Sequence, residues 1–321
     1  MTDVSTLNNS LLENAKFKNR DVTKTGEIRA SVQLKGLKTL WFNTGTLCNL
    51  TCNNCYIESS PKNDRLVYLT TQEVVAFLDE LVSSKPIAVE VAFTGGEPFM
   101  NPEFLEMITE CAERGHRVLI LTNAMRPMMK CEPTLLSLKA RFEHLITIRV
   151  SLDHYTASLH DLYRGDRAFE TALMGLKWLS DNGFRVHIAG RTIWNETEKM
   201  LRSGFERLCN REKIAIDAFD ATQLLLFPEM DETLDVPEIT EACWSILGVN
   251  PDDMMCATSR MIVKRKGALK PTVLPCTLLP YETELELGST LENAEKTVKL
   301  NHPHCSRFCV LGGGSCCVPQ N

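Results

Sequence analysis

Between Leu40 and Phe227 the chain alternates short runs rich in β-branched and aromatic residues with longer segments whose apolar positions recur at helical spacing. This alternation is typical of β-α-β units, in which a helix returns the chain to a neighbouring parallel strand. The short runs predict strands near residues 39–43, 88–94, 117–122, 145–152, 185–193 and 222–227. The amphipathic segments predict helices near residues 70–83, 101–114, 133–141, 168–182 and 197–210. We therefore expect an α/β fold built on one parallel sheet.

The polar positions within these strands predict which side chains face the inside of the sheet. In the fourth predicted strand apolar and polar residues alternate from Ile146 to Asp153. Because helices cover the outer face of a parallel sheet, the apolar set faces outward and the polar set inward. Polar residues at the carboxyl ends of the strands are the functional candidates in such sheets. They are Thr94, Thr122, Asn123, Ser151, Asp153 and Arg191.

Three further polar residues, Glu90, Arg149 and His187, share the inward parity but lie deeper in the strands. A buried acid and base often pair simply because an unpaired buried charge is unfavourable. Ionisable groups at such positions also cluster at active sites. We expect a structural role for these three rather than direct catalysis.

Composition and charge exclude several classes of protein. The 321 residues, 44% of them hydrophobic, suffice for a full core. The net charge of −6 arises from interspersed acids and bases without a long basic run, so we expect no nucleic-acid partner. The N-terminus lacks the apolar core of a signal peptide, and no stretch approaches the roughly 18 apolar residues of a membrane-spanning helix. We therefore expect a soluble, cytoplasmic protein with no membrane partner.

The 13 cysteines fall into groups. Reducing compartments keep thiols free of disulfides, and clustered thiols there usually hold metal. One group is Cys48, Cys52 and Cys55, and a second lies in the last part of the chain. Four cysteines stand alone, as small buried hydrophobic residues often do. They are Cys111, Cys131, Cys209 and Cys243.

The first cysteine group has the spacing C-x3-C-x2-C and follows the first predicted strand. An iron-sulfur cube normally takes four cysteines, so three predict one iron left open to bind a small molecule. The alternatives are a zinc site or three core thiols. Catalytic zinc is often bound by three ligands that include histidine, yet no histidine lies within fifty residues of Cys55. The spacing therefore favours a catalytic iron-sulfur cluster.

A second motif, Thr94-Gly95-Gly96-Glu97-Pro98, stands at the end of the second predicted strand. Its glycines allow a tight turn close to a ligand, and Pro98 restricts the direction in which the chain leaves that turn. The two motifs in this order, with Tyr56 after the third cysteine, resemble the radical S-adenosylmethionine (radical SAM) enzymes. The resemblance implies a partial (β/α)6 TIM-like barrel, and a 4Fe-4S cluster held by Cys48, Cys52 and Cys55 whose open iron chelates SAM. It also implies that one-electron reduction splits SAM into methionine and a 5'-deoxyadenosyl radical, which the protein orients and shields from water.

The resemblance further assigns contacts to SAM. In the family the glycine motif meets the methionine ammonium, with Glu97 as a candidate carboxylate partner. Thr122-Asn123-Ala124 and Ser151-Leu152-Asp153 stand where many relatives carry Thr-Asn-Gly and Ser-Leu-Asp-Gly, so Ala124 and His154 replace glycines. Arg164 and Arg191 each offer a bidentate fork for a carboxylate. The expected cofactor-binding residues are Tyr56, Gly95, Gly96, Glu97, Thr122, Asn123, Ser151, Asp153, Arg164 and Arg191.

The C-terminal part breaks the β-α rhythm and carries the second cysteine group: Cys256, Cys276, Cys305, Cys309, Cys316 and Cys317. Cys256 and Cys276 bracket a basic, hairpin-like stretch with Gly267 at its turn. This arrangement resembles the twitch and SPASM extensions, which hold auxiliary clusters. We expect one auxiliary 4Fe-4S cluster ligated by Cys256, Cys276, Cys305 and Cys309, with Cys316 as an alternative ligand. The competing hypothesis is a structural zinc site that uses Cys305, Cys309 and either His302 or His304.

The expected domains are an N-terminal extension at residues 1–38, a radical SAM partial barrel at 39–227 and an auxiliary-cluster domain at 228–321. We expect an oxidoreductase or maturase that abstracts hydrogen from a small-molecule or peptide substrate, leading to oxidation, cyclisation or crosslinking. Its electron donor would be a protein such as flavodoxin or ferredoxin. The alternative from another class is a metal-binding scaffold without catalytic activity.

Overall fold

The computed structural model describes residues 16–84, 89–231 and 233–314. The chain divides into two compact units. Of the described residues, the barrel unit comprises 37–84, 89–229 and 259–294. Of the described residues, the terminal unit comprises 16–36, 230–258 without residue 232, and 295–314.

The barrel unit contains an eight-stranded sheet. Its strands are β2 (Thr39–Asn43), β3 (Glu90–Thr94), β4 (Arg117–Thr122), β5 (Ile146–Ser151), β6 (Arg185–Arg191), β7 (Leu224–Phe227), β8 (Ser259–Val263) and β9 (Thr272–Leu274). The strand order is β7-β6-β5-β4-β3-β2-β8-β9. Every neighbouring pair is parallel except β8 and β9. Strands β2 to β7 lie side by side in chain order, which confirms the parallel sheet predicted from the sequence.

Helices connect these strands. They are α1 (Thr71–Ser84), α2 (Phe104–Glu113), α3 (Arg126–Met129), α4 (Glu132–Phe142), α5 (Ala157–Arg164), α6 (Ala168–Asp181) and α7 (Glu198–Glu212). Helix α1 begins with a capping box, in which the Thr70 hydroxyl accepts from the Glu73 amide and the Glu73 carboxylate accepts from the Thr70 amide. The short helices α3 and α5 were not predicted, because neither is long enough to show a clear helical period.

The direction of the side chains in the strands agrees with the parity prediction. Ile146, Ile148 and Val150 of β5 belong to the main hydrophobic core, together with outward residues of the neighbouring strands. Since successive side chains of a strand alternate, Thr147 and Arg149 lie on the opposite, inner face. The core therefore lies between sheet and helices, and the polar side chains line the lumen.

Strands β8 and β9 form the hairpin expected between Cys256 and Cys276. They pair antiparallel, with Met261 opposite Leu274, and Gly267 between them has the positive φ of 81° that a turn can require. Strand β8 also pairs in parallel with β2, so residues 259–294 extend the barrel sheet. The domain boundaries at residues 38 and 227 remain predictions.

In the terminal unit the described part of the N-terminal extension packs with residues from the C-terminal part of the chain. Strand β1 (Ser31–Val32) pairs antiparallel with β10 (Val298–Lys299), and a short helix α8 (Cys243–Leu247) lies in the same unit. The fully buried Arg29 forms an ion pair with Glu238 at 2.5 Å. Its guanidinium also donates to backbone carbonyls, and this hydrogen bonding is what a buried charge requires.

Within the residues that the structure describes, none of the helices combines the length and the apolar character needed to cross a lipid bilayer.

Candidate functional site

The loop after β2 carries Cys48, Cys52 and Cys55, and it places the three thiols close enough to influence one another. Burial raises the pKa of Cys48 to about 12, and the neighbouring thiols Cys52 and Cys55 add to this shift. Burial also raises the pKa of Cys52, an effect that Arg164 and Arg191 oppose. The three cysteines therefore share one electrostatic environment, with two arginines nearby.

Backbone amides point at two of these sulfur atoms. The Leu50 amide donates to the Cys48 Sγ at 3.4 Å, and the Ser59 amide donates to the Cys55 Sγ at 3.4 Å. Hydrogen bonds to the ligating sulfurs are one of the means by which proteins stabilise iron-sulfur clusters and set their potentials. The donor set of this loop thus fits the cluster that the motif implies.

The glycine motif is built into the entry of the cysteine loop. The Gly96 amide donates to the Gly45 carbonyl at 2.8 Å, and the Glu97 amide donates to the Leu47 carbonyl at 3.1 Å. A Cβ on Gly96 would lie 2.1 Å from the Leu47 carbonyl oxygen. Because neither backbone can yield easily, position 96 requires glycine. The two motifs recognised in the sequence therefore form one structural unit.

Glu97 ties this unit to the end of β4. Its carboxylate accepts from the Thr122 hydroxyl at 2.8 Å, the Asn123 amide at 2.9 Å and the Phe99 amide at 3.2 Å. Burial raises the pKa of Glu97 to about 7, although these hydrogen bonds oppose the shift. The predicted role of Glu97 at the SAM ammonium remains a prediction, and the carboxylate is already engaged by protein donors.

The turn after β4 keeps the conformation of a glycine although it carries Ala124. Ala124 has a φ of 57°, a left-handed conformation that costs a residue with a Cβ about 1–2 kcal/mol. The Asn123 side-chain amide reaches back to the Asn49 side chain in the cysteine loop at 2.9 Å. The strained turn thereby links the end of β4 to the cysteines.

Asp153, just beyond β5, pairs with Arg164, the last residue of α5. Burial alone would raise the pKa of Asp153, but the Arg164 guanidinium, aided by Arg191, holds it below its usual value. The same helix end contacts the cysteine loop, because its Leu162 and Tyr163 carbonyls accept hydrogen bonds from Asn53. Arg164 is thus a bridge between Asp153 and the loop that carries the three thiols.

Arg191 ends β6, and its amide donates to the Asp153 carbonyl at 3.1 Å. Its Nε is buried and has no hydrogen-bond partner among the described residues. The charge of Arg191 helps to hold the pKa of Asp153 below its usual value, and it opposes the burial that raises the pKa of Cys52. Ser151, the last residue of β5, pairs in register with Ala189 two residues before Arg191.

The deeper lumen residues lie on different strands. Arg149 of β5 and His187 of β6 are register partners. Burial, with the positive charges of Arg149 and Arg185, lowers the pKa of His187 to about 4. His187 is therefore neutral near pH 7, while Glu90 accepts a hydrogen bond from Thr39.

Sequence reasoning missed a polar cluster directly after Asp153. His154 is buried and lies 2.9 Å from Glu196, and the Tyr155 hydroxyl donates to the same carboxylate. The Trp194 indole donates to the Asp153 carbonyl at 3.1 Å. The only signal in the sequence was the histidine in place of a glycine after Ser-Leu-Asp.

The C-terminal cysteines fall in both units. Cys256, Cys305 and Cys309 pack in or against one hydrophobic core of the terminal unit, and Cys305 and Cys309 lie on a π-helix, Cys305–Leu311. Cys276 follows β9 in the barrel unit. Cys316 and Cys317 lie outside the described residues. Among the residues that are described, no three His, Cys, Asp or Glu side chains are grouped to hold a single metal ion.

Residues 42–206 match the radical SAM superfamily, so the chain belongs to that superfamily. It is therefore an enzyme, and its cofactors are a 4Fe-4S cluster and SAM. The predicted fold class, a partial (β/α)6 barrel, is confirmed.

Among related proteins, the antilisterial bacteriocin subtilosin biosynthesis protein AlbA of Bacillus subtilis is 32% identical over 143 residues, which cover 44% of this chain and 30% of AlbA. An AdoMet-dependent heme synthase of Methanosarcina barkeri is 33% identical over 146 residues, 44% of this chain and 38% of the synthase. The matched region thus spans about a third of each relative's length.

Among solved structures, Streptococcus suis SuiB bound to its precursor peptide SuiA superposes with a TM-score of 0.58 at 16% identity. The superposition covers 82% of this chain and 66% of SuiB. At this identity the likeness concerns the fold.

Proposed function

We propose that Cys48, Cys52 and Cys55 hold the 4Fe-4S cluster and leave one iron open for SAM. The observation that carries this assignment is the pair of backbone amides aimed at the sulfurs of Cys48 and Cys55. When bound and reduced, the cluster supplies the electron that splits SAM into methionine and a 5'-deoxyadenosyl radical. The role of the polypeptide is to bind SAM, to orient it and to exclude water from the site.

For the SAM-binding residues we keep the set proposed from the sequence, and contacts near the cysteine loop support part of it. Gly95 and Gly96 pack closely against residues 43–47, where the loop begins. Asp153 and Arg164 form an ion pair close enough to Cys52 to influence its pKa. Arg191 supplies a guanidinium whose Nε has no partner within the described residues, and we assign it to the methionine carboxylate. The remaining proposed contacts are Tyr56, Glu97, Thr122, Asn123 and Ser151.

We further propose one auxiliary 4Fe-4S cluster with Cys256, Cys276, Cys305 and Cys309 as ligands, or with Cys316 in place of one of them. The two cysteines on the Cys305–Leu311 π-helix are spaced four residues apart and pack against the core that contains Cys256. A zinc site with Cys305, Cys309 and His302 or His304 is the alternative, and metal analysis distinguishes the two.

For the substrate we propose a peptide, from which the 5'-deoxyadenosyl radical abstracts hydrogen before crosslinking or oxidation. AlbA acts in the biosynthesis of a bacteriocin, and SuiB is seen with a precursor peptide. The second candidate is a small molecule, which the resemblance to a heme synthase favours. A flavodoxin or ferredoxin would donate the electrons in either case.

The test begins with anaerobically reconstituted protein, in which iron, acid-labile sulfide and 5'-deoxyadenosine are measured. The variant Cys55→Ala should lose SAM cleavage, while Cys131→Ala, which removes a half-buried thiol elsewhere, should retain it. SAM cleavage by Cys55→Ala would refute the ligand assignment.

The substrate is tested with a peptide encoded next to the gene for this protein. When added to the enzyme, the peptide should change in mass and raise the rate of SAM cleavage. If only a small metabolite does so, the peptide proposal fails.

A further inference from the structure

The segment that follows the third cysteine is held in an unusual conformation. Glu58 has a φ of 49°, although it is neither glycine nor asparagine. Such a residue persists only where its surroundings fix it. The next residue, Ser59, donates its amide to the Cys55 Sγ. The position of this sulfur ligand therefore depends on whatever holds residues 57–59 in place.

Tyr281, which lies far away in sequence, contacts this segment directly. Its hydroxyl donates to the Ile57 carbonyl at 2.6 Å and accepts from the Asn63 side-chain amide at 3.1 Å. The same Asn63 amide group donates to the Glu58 carbonyl at 2.9 Å. The Tyr281 hydroxyl and the Asn63 amide group together hold the carbonyls of the two residues that precede Ser59.

The ring of Tyr281 is fixed as well. The Arg65 guanidinium stacks on it, with the central carbon 3.5 Å from the ring centroid, and also pairs with Glu58 at 2.8 Å. That ion pair is exposed to solvent and contributes little by itself. The stacking restricts the ring, so that its hydroxyl points at the segment after Cys55.

The β8–β9 hairpin contacts both the residues that carry Arg65 and the residue before Tyr281. Leu66 forms an antiparallel bridge with Arg265, and the Lys266 amide donates to the Arg65 carbonyl at 3.0 Å. Arg265 also donates to the Pro280 carbonyl at 3.3 Å, directly before Tyr281. The hairpin thus fixes the position of Tyr281 relative to the residues that follow the cysteine loop.

We propose that Tyr281 is a positioning residue for the SAM cluster: it holds the Ser59 amide on the Cys55 sulfur and thereby raises the reduction potential of the cluster. The reduced cluster carries one more negative charge, and an N–H group directed at a ligating sulfur stabilises that charge. The inference rests on the proposed ligand role of Cys55.

The test compares Tyr281→Phe with Tyr155→Phe, which removes a hydroxyl that bonds Glu196 instead. In Tyr281→Phe, amide hydrogen exchange of residues 57–59 should rise roughly threefold to tenfold, the effect of one lost hydrogen bond on local opening. The exchange is measured on metal-free protein. In the reconstituted enzyme, the midpoint potential of the paramagnetic signal that responds to SAM should become more negative. Tyr155→Phe should leave both quantities at their wild-type values.

Unchanged exchange at residues 57–59 in Tyr281→Phe would overturn the proposal. Faster exchange with an unchanged potential would overturn the link between this contact and the cluster. If the wild-type protein never forms a signal that responds to SAM, the cluster assignment fails instead, and the exchange result still decides the structural contact. Arg65→Met, which removes the stacked guanidinium but keeps the hydroxyl, should shift both quantities in the same direction by a smaller amount.

Discussion

Asp153 and Arg164 form a two-point ion pair at the edge of the cysteine loop. The Arg164 Nε donates to the Asp153 Oδ2 at 2.7 Å, and its Nη2 donates to the Oδ1 at 2.8 Å. Asp153 is only 4% exposed, so that its charge has little access to water. Because the end of α5 also binds Asn53, this pair connects β5 to the loop that we assign to the cluster.

Replacing Arg164 by lysine should destabilise the protein. Lysine keeps the charge but lacks the planar fork that forms two parallel hydrogen bonds with a carboxylate, and losing one charge-assisted hydrogen bond costs roughly 1.5–3 kcal/mol. The free energy of unfolding in urea measures the effect. Arg167→Lys is the matched control, because Arg167 and its partner Glu170 are exposed and their pair should be worth less than about 1 kcal/mol. Equal stabilities of the two variants would contradict the structural importance of the pair.

Arg191→Ala should weaken SAM binding and leave the iron content unchanged, since this side chain is proposed to contact the ligand and not the metal. The loss of one charge-assisted hydrogen bond corresponds to on the order of tenfold to a hundredfold in affinity. Equilibrium dialysis with labelled SAM gives the dissociation constant. Arg185→Ala removes an exposed arginine at the opposite end of β6 and should bind SAM normally. Normal binding by Arg191→Ala would leave Arg191 as a structural charge in the lumen.

Gly96→Ala should be strongly destabilising, because its Cβ would meet a backbone oxygen that cannot move freely. We expect a loss of about 3 kcal/mol, the upper range for an overpacked site, and a fall in bound iron. Gly267→Ala has open space around its Cβ and should suffer only the backbone strain of about 1–2 kcal/mol. Urea denaturation and iron analysis of both variants test the difference, and similar losses would refute the steric argument.

Glu97 should make the stability of the protein fall as the pH rises. The folded state retains the Glu97 proton up to a pKa of about 7, whereas the ordinary value is 4.5. Between these two pKa values the folded state binds more protons than the unfolded state, so the free energy of unfolding decreases as the pH rises. The total decrease, complete once the pH exceeds the folded-state pKa, is about 3 kcal/mol. Urea denaturation of the wild type and of Glu97→Gln at pH 5 and at pH 8 measures this contribution. The variant should lose less stability than the wild type between the two pH values. Equal losses would show that Glu97 has an ordinary pKa.

Replacing Cys305 and Cys309 together should remove about four of about eight irons if each of two clusters holds four. SAM cleavage without substrate should continue, because the first cysteine group is untouched, while product formation should fail. Metal analysis also decides the alternative: about one zinc and about four irons per wild-type chain would favour a tetrahedral Cys/His site. The auxiliary redox role would then be withdrawn.

The order of strands and helices was available from the sequence because periodicity is a local property. Apolar alternation in residues 146–151 identified both a strand and its outward face, and the structure agrees on both. The cysteine spacing and the Gly-Gly-Glu-Pro motif identified the family, since ligand chemistry restricts residue type at short separation. The cofactors followed from the same residues.

Tertiary structure decided which distant residues act on one another. The sequence did not indicate that Glu97 would bond the end of β4, or that Arg164 would pair with Asp153. Nor did it show that Tyr281 would bond the Ile57 carbonyl beside the cysteines. Each of these contacts joins segments that the folding of the sheet brings together, so no local period or spacing records it. The sequence by itself therefore determined the family and the residue types of the cysteine loop, and the packing of β4, α5 and the β8–β9 hairpin around that loop determined which distant side chains bond to it or beside it.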